Sequence, residues 1–215
     1  MRSYHQYCSV AKALDVVGDR WTLLIIRELA LRGACRYTDL RDGLPGIATN
    51  LLAERLRELE AAGVLMRRDA PPPVATALIE LTDRGRALVP IVHDLGMWGL
   101  QYMVDGPAPD DSFRCHWLTF PAELFLTDGA PDGPPASLEM RVDDEAMAVR
   151  ASEGKVAISP GPAEHPDAVL AGAPAPLLGL ISGHLDLDAA VAKGLHFEGS
   201  RETVERLMPR RAPVA

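Results

Sequence analysis

Any chemistry in this 215-residue chain would have to start from three cysteines and six histidines, and their spacing builds none of the usual centres. Cys8, Cys35 and Cys115 lie far apart and follow no zinc or disulfide pattern. Free thiols in a reducing compartment are the expectation. His5, His93, His116, His165, His184 and His196 never meet cysteines or carboxylates at metal-ligand spacing. His116 follows Cys115, but neighbouring residues on a helix point apart, so they make no nucleophile–base pair. Nucleophile elbow, phosphate loop and dinucleotide fingerprint are all missing from the pattern. Asp143-Asp144-Glu145 reads as a solvated turn. The expectation is no metal, no cofactor and no enzyme activity.

The pattern that does point to a function is a reading face. Pro45-Gly46 marks a turn. From there to the helix stop at Gly63, Ala48, Leu52, Leu56 and Leu59 recur at helical spacing as one apolar stripe. At about 100° per residue, Asn50, Glu54, Arg57 and Ala61 fall on the opposite side, with Thr49 and Ala53 on the flank. A face that is small and hydrogen-bonding at its start, then charged, suits a helix read from its N-terminal end in a DNA major groove. An ordinary surface helix is the other reading of this stretch alone.

The elements that must position this helix can be read in order. A first helix is expected over about Ser9–Val17, with Val10, Ala13, Leu14 and Val17 inward. Asp19 is placed to cap a second helix, Arg20–Ala30, apolar on nearly all sides and therefore central. A short helix over Tyr37–Gly43 precedes the turn, which makes the order helix-turn-helix. Two strands, Val64–Arg68 and Ala77–Leu81, flank a proline-rich tip and form a wing. Thr82 caps one long helix from Asp83 to about Met103. Leu88, Ile91, Val92, Leu95, Trp98, Leu100 and Tyr102 give it more apolar surface than one small domain covers.

Bulk properties agree with this division. The net charge of −8 is uneven: residues 1–104 are close to neutral, while residues 105–215 hold 9 basic and 18 acidic residues. Phosphate attraction needs a local basic patch, not a basic protein. Apolar residues make up 47% of the chain, enough for real cores. No run approaches the length of a membrane span, and Met1-Arg2-Ser3-Tyr4-His5 opens no signal peptide. A cytoplasmic location without membrane contact is expected.

Cys8 to about Tyr102 resembles the HxlR-type winged-helix transcription regulators. The resemblance rests on Cys8, on Ala13-Leu14-Asp15-Val16-Val17-Gly18-Asp19-Arg20-Trp21-Thr22-Leu23-Leu24-Ile25, on Arg36-Tyr37-Thr38-Asp39-Leu40 and on Leu44-Pro45-Gly46-Ile47. It continues through Leu52, Glu54-Arg55-Leu56-Arg57-Glu58-Leu59-Glu60 and Leu81-Thr82-Asp83-Arg84-Gly85. It implies a homodimer, built from the first and last helices, on double-stranded operator DNA. The DNA-facing set is then Arg36, Thr38, Thr49, Asn50, Ala53, Glu54, Arg55, Arg57, Arg67 and Arg68. Two departures stand out. Ala48 replaces the family's serine cap, leaving Thr49 as the next candidate for that role. The wing tip, Val74-Ala75-Thr76-Ala77, lacks the family's cation. The family also includes redox sensors with a cysteine at the Cys8 position.

The second half starts with a linker, Asp105–Asp111, followed by a short helix from Ser112 to about Phe120. Three strands then form an antiparallel meander: Ser137–Val142, Ala146–Arg150 and Lys155–Ser159. A strand at Asp167–Gly172, helices at Pro176–Leu185 and Leu187–Lys193, a strand at Leu195–Gly199 and a helix at Thr203–Met208 complete it. Residues 137–208 resemble the sterol-carrier-protein fold, most closely over Asp167–Gly172, Leu177–Gly183, Asp188–Gly194 and Leu195–Ser200. That likeness implies an apolar cavity for a fatty or sterol-like ligand, lined by Leu177, Leu178 and Ile181. Core packing is the other reading of those three residues.

The fold class expected is therefore α+β, with a winged helix-turn-helix over 1–104, a linker over 105–111 and an antiparallel sheet with helices, sterol-carrier-like, over 112–215. The expected function is a dimeric DNA-binding transcription regulator modulated by a small apolar ligand. Two alternatives accompany it: a lipid-binding or assembly protein whose winged helix contacts protein, and a thiol redox sensor acting through Cys8.

Overall fold

The computed structural model describes residues 3–70, 76–103, 106–108 and 110–209. Most of the wing tip (71–75) and linker positions 105 and 109 lie outside the described residues. The chain forms two compact units, Met1–Tyr102 and Met103–Ala215.

The first unit is a winged helix-turn-helix. Its helices α1 (Ser9–Val17), α2 (Thr22–Arg32), α3 (Tyr37–Asp42) and α4 (Thr49–Ala61) precede strands β2 (Leu65–Asp69) and β3 (Ala77–Leu81). A two-residue strand, β1 (Cys35–Arg36), enters before α3 and pairs with β3, so the sheet order is β1-β3-β2, all antiparallel. Such a short strand has no period of its own; pairing with Leu78 and Ile79 defines it. Ile25, Ile26 and Leu29 of α2 are buried, as is Glu28. Leu52, Leu56 and Leu59 of α4 are buried as well. Helix α4 ends in a Schellman arrangement: the Val64 N–H donates to the Leu59 carbonyl at 2.9 Å and the Gly63 N–H to the Glu60 carbonyl at 3.0 Å, with Gly63 at φ +68°.

Four expectations are corrected here. Helix α1 buries Ala11, while Val10 and Leu14 are 64% and 42% exposed and Ala13 is exposed too. The stripe is real, but among the described residues of this unit it is only partly covered, with Val17 half-buried. Ala48 stands outside the apolar stripe of α4, as an exposed extended residue before the helix. Asp19 does not cap α2; its carboxylate accepts from the Trp21 N–H at 3.2 Å, one turn earlier. The long last helix is two: α5 (Asp83–Arg86) and α6 (Val89–Gly99), with a 3-10 turn over Leu100–Tyr102. Pro90, at the second position of α6, has no N–H to give residue 86 and its ring would crowd that carbonyl, so the helix restarts there.

The second unit is one layer of sheet backed by helices. After a 3-10 turn (Cys115–Leu118) and α7 (Thr119–Phe125) come β4 (Ala136–Val142), β5 (Glu145–Ser152) and β6 (Lys155–Pro160). Then follow β7 (Ala168–Ala171), α8 (Pro174–Ile181), α9 (Leu187–Ala192), β8 (His196–Gly199) and α10 (Arg201–Leu207). The meander β4-β5-β6 is antiparallel, but β7 pairs parallel to β4, giving the order β6-β5-β4-β7-β8 in a mixed sheet. This corrects the purely antiparallel expectation. The crossover from β6 to β7 is pinned to β4 by two carboxylates. Glu139, buried, accepts from the Ala163 N–H at 2.7 Å, and Asp167 accepts from the Ser137 N–H at 2.8 Å. The helix expected from Ser112 is displaced to Thr119–Phe125, and α8 stops at Ile181. There the Ser182 hydroxyl donates back to the Leu178 carbonyl at 2.7 Å and Gly183 turns to φ +76°.

Candidate nucleic-acid interface

The interface is built from the turn outward. The phenolic O–H of Tyr37, first residue of α3, donates to the Thr49 carbonyl at 2.8 Å. That bond ties the start of α3 to the start of α4. Behind the turn sits Glu28, whose carboxylate accepts from Arg27 Nη2 at 2.8 Å and Arg32 Nε at 3.0 Å. Arg27 Nη2 also reaches the Gly43 carbonyl at 3.4 Å, and a Cβ on Gly43 would collide with the Glu28 carboxylate. The buried acid and the glycine therefore fix where α3 ends. Sequence reading missed both Tyr37 and Glu28. Each acts on a residue more than ten positions away, so no local pattern betrays it.

Helix α4 begins bare. Ala48 offers no side-chain acceptor, Thr49 sits at the first helical position rather than capping, and the first turn carries no acid. The N–H groups of Thr49, Asn50 and Leu51 are thus the orphan donors of a helix start, which suit an anionic oxygen. Ile47 and Leu52, both buried, stand at the two staple positions that set the entry angle of the chain.

Along the outer face Thr49, Asn50, Glu54 and Arg57 are exposed and Ala53 is half-buried. Arg57 Nε donates to the Ala53 carbonyl at 3.2 Å. Arg36 and Thr38 are exposed at the start of α3. Arg67 faces Glu60 at 3.6 Å in an exposed pair and Arg68 faces the half-buried Glu80 at 3.1 Å; such surface pairs contribute about 0–1 kcal/mol. Arg55 differs. It is only 17% exposed in its side chain and is held by Glu58 at 2.6 Å, Asp19 at 3.4 Å and Glu54 at 3.3 Å. Its charge braces α4 against the turn before α2.

Cys8 is exposed at the residue before α1. The backbone N–H groups of Ala11 and Val10 hold its thiol below the usual range, because they stabilise the thiolate. Burial pushes Cys35 and Cys115 the other way, each to about 11. In the second unit Leu177 and Ile181 are fully buried in one core with Leu138, Met140, Leu170 and Leu207, and Leu178 packs half-buried at its margin. A separate small cleft of about 200 Å³ is lined by Phe113, Arg114, Cys115 and the Val142–Glu145 turn. No cluster of three metal-ligating side chains occurs among the described residues, and no helix there is long and apolar enough to cross a membrane.

The profile of the HxlR-like helix-turn-helix family matches residues 16–106. YvaP of Bacillus subtilis (strain 168), named an uncharacterized HTH-type transcriptional regulator, is 36% identical over 92 residues, 43% of this chain and 84% of that protein. The protein sll1512 of Synechocystis sp., with the same designation, is 36% identical over 115 residues, 52% of this chain and 78% of its own. Among solved structures, the redox regulator HypR in its oxidized form shares 33% identity over 44% of this chain and 96% of that one, with a TM-score of 0.41. The chain belongs to the HxlR-like helix-turn-helix family of transcription regulators, which are not enzymes.

Proposed function

We propose that α4 lies in the major groove of double-stranded operator DNA and that Asn50, Ala53, Glu54 and Arg57 meet the base edges. Thr49 with the bare helix start, Arg36, Thr38, Arg67 and Arg68 meet the phosphates. The observation that carries this is the exposed, uncapped face of α4, locked in place by Tyr37 and Glu28. Arg55 serves as a brace instead of a contact. Gel shifts on a selected operator test it. Asn50→Ala and Arg57→Ala are each expected to weaken binding by about 1–3 kcal/mol; unchanged affinity in both removes this face as the reader. A protein that ignores DNA and carries lipid would favour the assembly-protein reading.

The active form is a homodimer. Val10 and Leu14 on α1 and Ile91, Leu95 and Trp98 on α6 are exposed, and such a surface on one small unit calls for a second copy. Two copies of α4 must then meet half-sites about 34 Å apart or a multiple. Sedimentation should give a dimer that Trp98→Glu splits; a wild-type monomer overturns this.

The second unit is the effector domain, for a fatty or sterol-like molecule, on the strength of its sheet-and-helix order and the apolar α8. Leu177 and Ile181 are packed solid, so a ligand there must displace α8 from the sheet. Modulation also requires that the ligand prefer one DNA-binding geometry. Melting curves with a fatty-acid panel, repeated as gel shifts, decide it; no shift in either discards the effector.

A second reading rests on Cys8, which is exposed and thiolate-favouring. Diamide treatment should change operator affinity in the wild type and leave Cys8→Ser unaffected. An equal change in both excludes Cys8.

A further inference from the structure

Glu54 is an odd residue to find on a face turned to DNA. It is exposed, and at about 100° per residue it shares that face with Asn50 and Arg57. A carboxylate is an acceptor only. The major groove is lined by phosphates and by acceptors: guanine N7 and O6, adenine N7, thymine O4. Against almost every base edge Glu54 is therefore repelled. Cytosine alone presents a donor, its N4 amino group, with no acceptor beside it on that edge.

The neighbours suit that base. Arg57 stands three residues on, so the two side chains are adjacent on the helix surface. Its Nε donates to the Ala53 carbonyl at 3.2 Å, a bond that restrains the guanidinium and does not use its Nη groups. The Nη donors match guanine O6 and N7. Arg55, bound to Asp19 and Glu58, also pairs with the Glu54 carboxylate at 3.3 Å and restrains it. Asn50 is one turn earlier, where its amide fits adenine N6 and N7.

We propose that Glu54 is the specificity-determining residue of α4, accepting from cytosine N4 of a C·G pair whose guanine Arg57 contacts, with Asn50 on an adenine about two to three base pairs away. The inference rests on α4 being the DNA-facing helix. Its physical content is discrimination by repulsion: the carboxylate weakens binding to all other sequences more than it strengthens binding to the right one.

Full-length protein is used to select fragments from a random double-stranded pool, and the enriched site is titrated with each substitution of the C·G pair. Wild type should discriminate at that pair by roughly 5- to 150-fold. Glu54→Ala should lose that preference there alone and bind random DNA several-fold more tightly, the reverse of a lost contact. Arg57→Ala should lose discrimination at the same base pair. Glu54 is exposed, so the melting temperature of Glu54→Ala should match wild type. An unchanged motif and unchanged random-DNA affinity in Glu54→Ala overturns the assignment while leaving α4 as the reader. Loss at a different base pair in Arg57→Ala overturns the shared contact. No motif enriched by the wild type overturns the DNA-reading helix itself.

Discussion

The two units solve the same problem of burial in opposite ways. The first leaves large apolar side chains outside: Val10, Leu14, Ile91, Leu95, Trp98 and Tyr102 are all exposed, although each unit buries a carboxylate, Glu28 in the first and Glu139 in the second. The second gathers its apolar residues into one core that runs from Leu118 through the sheet to Leu207; of the described residues in it, only Met103, Leu124 and Val191 are large, apolar and exposed. The first unit keeps apolar area uncovered and ties its elements together with side-chain bonds such as Tyr37–Thr49 and Arg55–Asp19. A unit that closes on itself is held by its core.

That contrast can be broken most directly at Leu138, which is wholly buried on β4. Leu138→Ala should cost about 2–5 kcal/mol, through lost transfer energy and the cavity left behind. Denaturant unfolding followed by circular dichroism measures it; a loss below about 1 kcal/mol would mean that the core is looser than its burial implies. The equivalent weak point of the first unit is Gly85. A Cβ there would collide with the Val64 carbonyl oxygen, where the end of α4 passes into β2. Gly85→Ala should cost about 1–3 kcal/mol by overpacking and should loosen the wing relative to α4. A neutral substitution would show that this junction is free to give.

How much of this was legible beforehand follows from the range of the forces involved. Helix α2 is readable as an apolar run, and helix α4, the wing strands and the β4-β5-β6 meander as amphipathic or alternating patterns with local stops such as Gly63. Pro90 is equally local, but the apolar spacing continues across it and hides the break it makes. Periodicity locates the apolar stripe of α1 but not what covers it, so it cannot show that Val10 and Leu14 are exposed. The parallel β4–β7 pair depends on Glu139 and Asp167 catching the crossover, which spacing does not encode. For the candidate interface, the helical period marks which α4 residues are exposed, apart from Ala48, which stands before the helix. The diversion of Arg55 to Asp19 and the Tyr37–Thr49 bond are not legible, since both join elements distant in sequence.

A smaller effect sharpens the comparison on the side of the first unit. The Thr82 hydroxyl accepts from the Gly85 N–H at 3.2 Å and lies 2.6 Å from the Gly63 carbonyl. One side chain thus caps α5 and holds the end of α4. Thr82→Ala should cost about 0.5–2 kcal/mol, the ordinary range for a lost cap. Combined with Gly85→Ala, the losses should not add, because both act on the same junction. Additive losses would separate the cap from the glycine.

In the second unit the counterpart is an ionic clamp with a pH signature. Arg206 of α10 meets the fully enclosed Asp128 side chain, Nε to Oδ1 at 2.7 Å and Nη2 to Oδ2 at 3.1 Å, and donates to the Pro134 carbonyl at 2.6 Å. Asp128 also accepts from the N–H groups of Ala130 and Gly154, so one carboxylate joins α10 to the β5–β6 turn. The Arg206 guanidinium, followed by those N–H groups, holds the acid down at about 2. Its value in the unfolded chain is about 3.9. A folded value below the unfolded one means that the clamp stabilises fully above about pH 4 and loses that contribution as the pH falls toward 2. Asp128→Asn keeps the shape and removes the charge. The stability gap between wild type and Asp128→Asn should therefore stay constant from pH 7 to about 4.5 and close between about pH 4 and pH 2. Urea unfolding across that range reads it directly. A gap that persists at pH 2 would show that Asp128 acts through shape and hydrogen bonding alone, leaving apolar packing to account for the closed second unit.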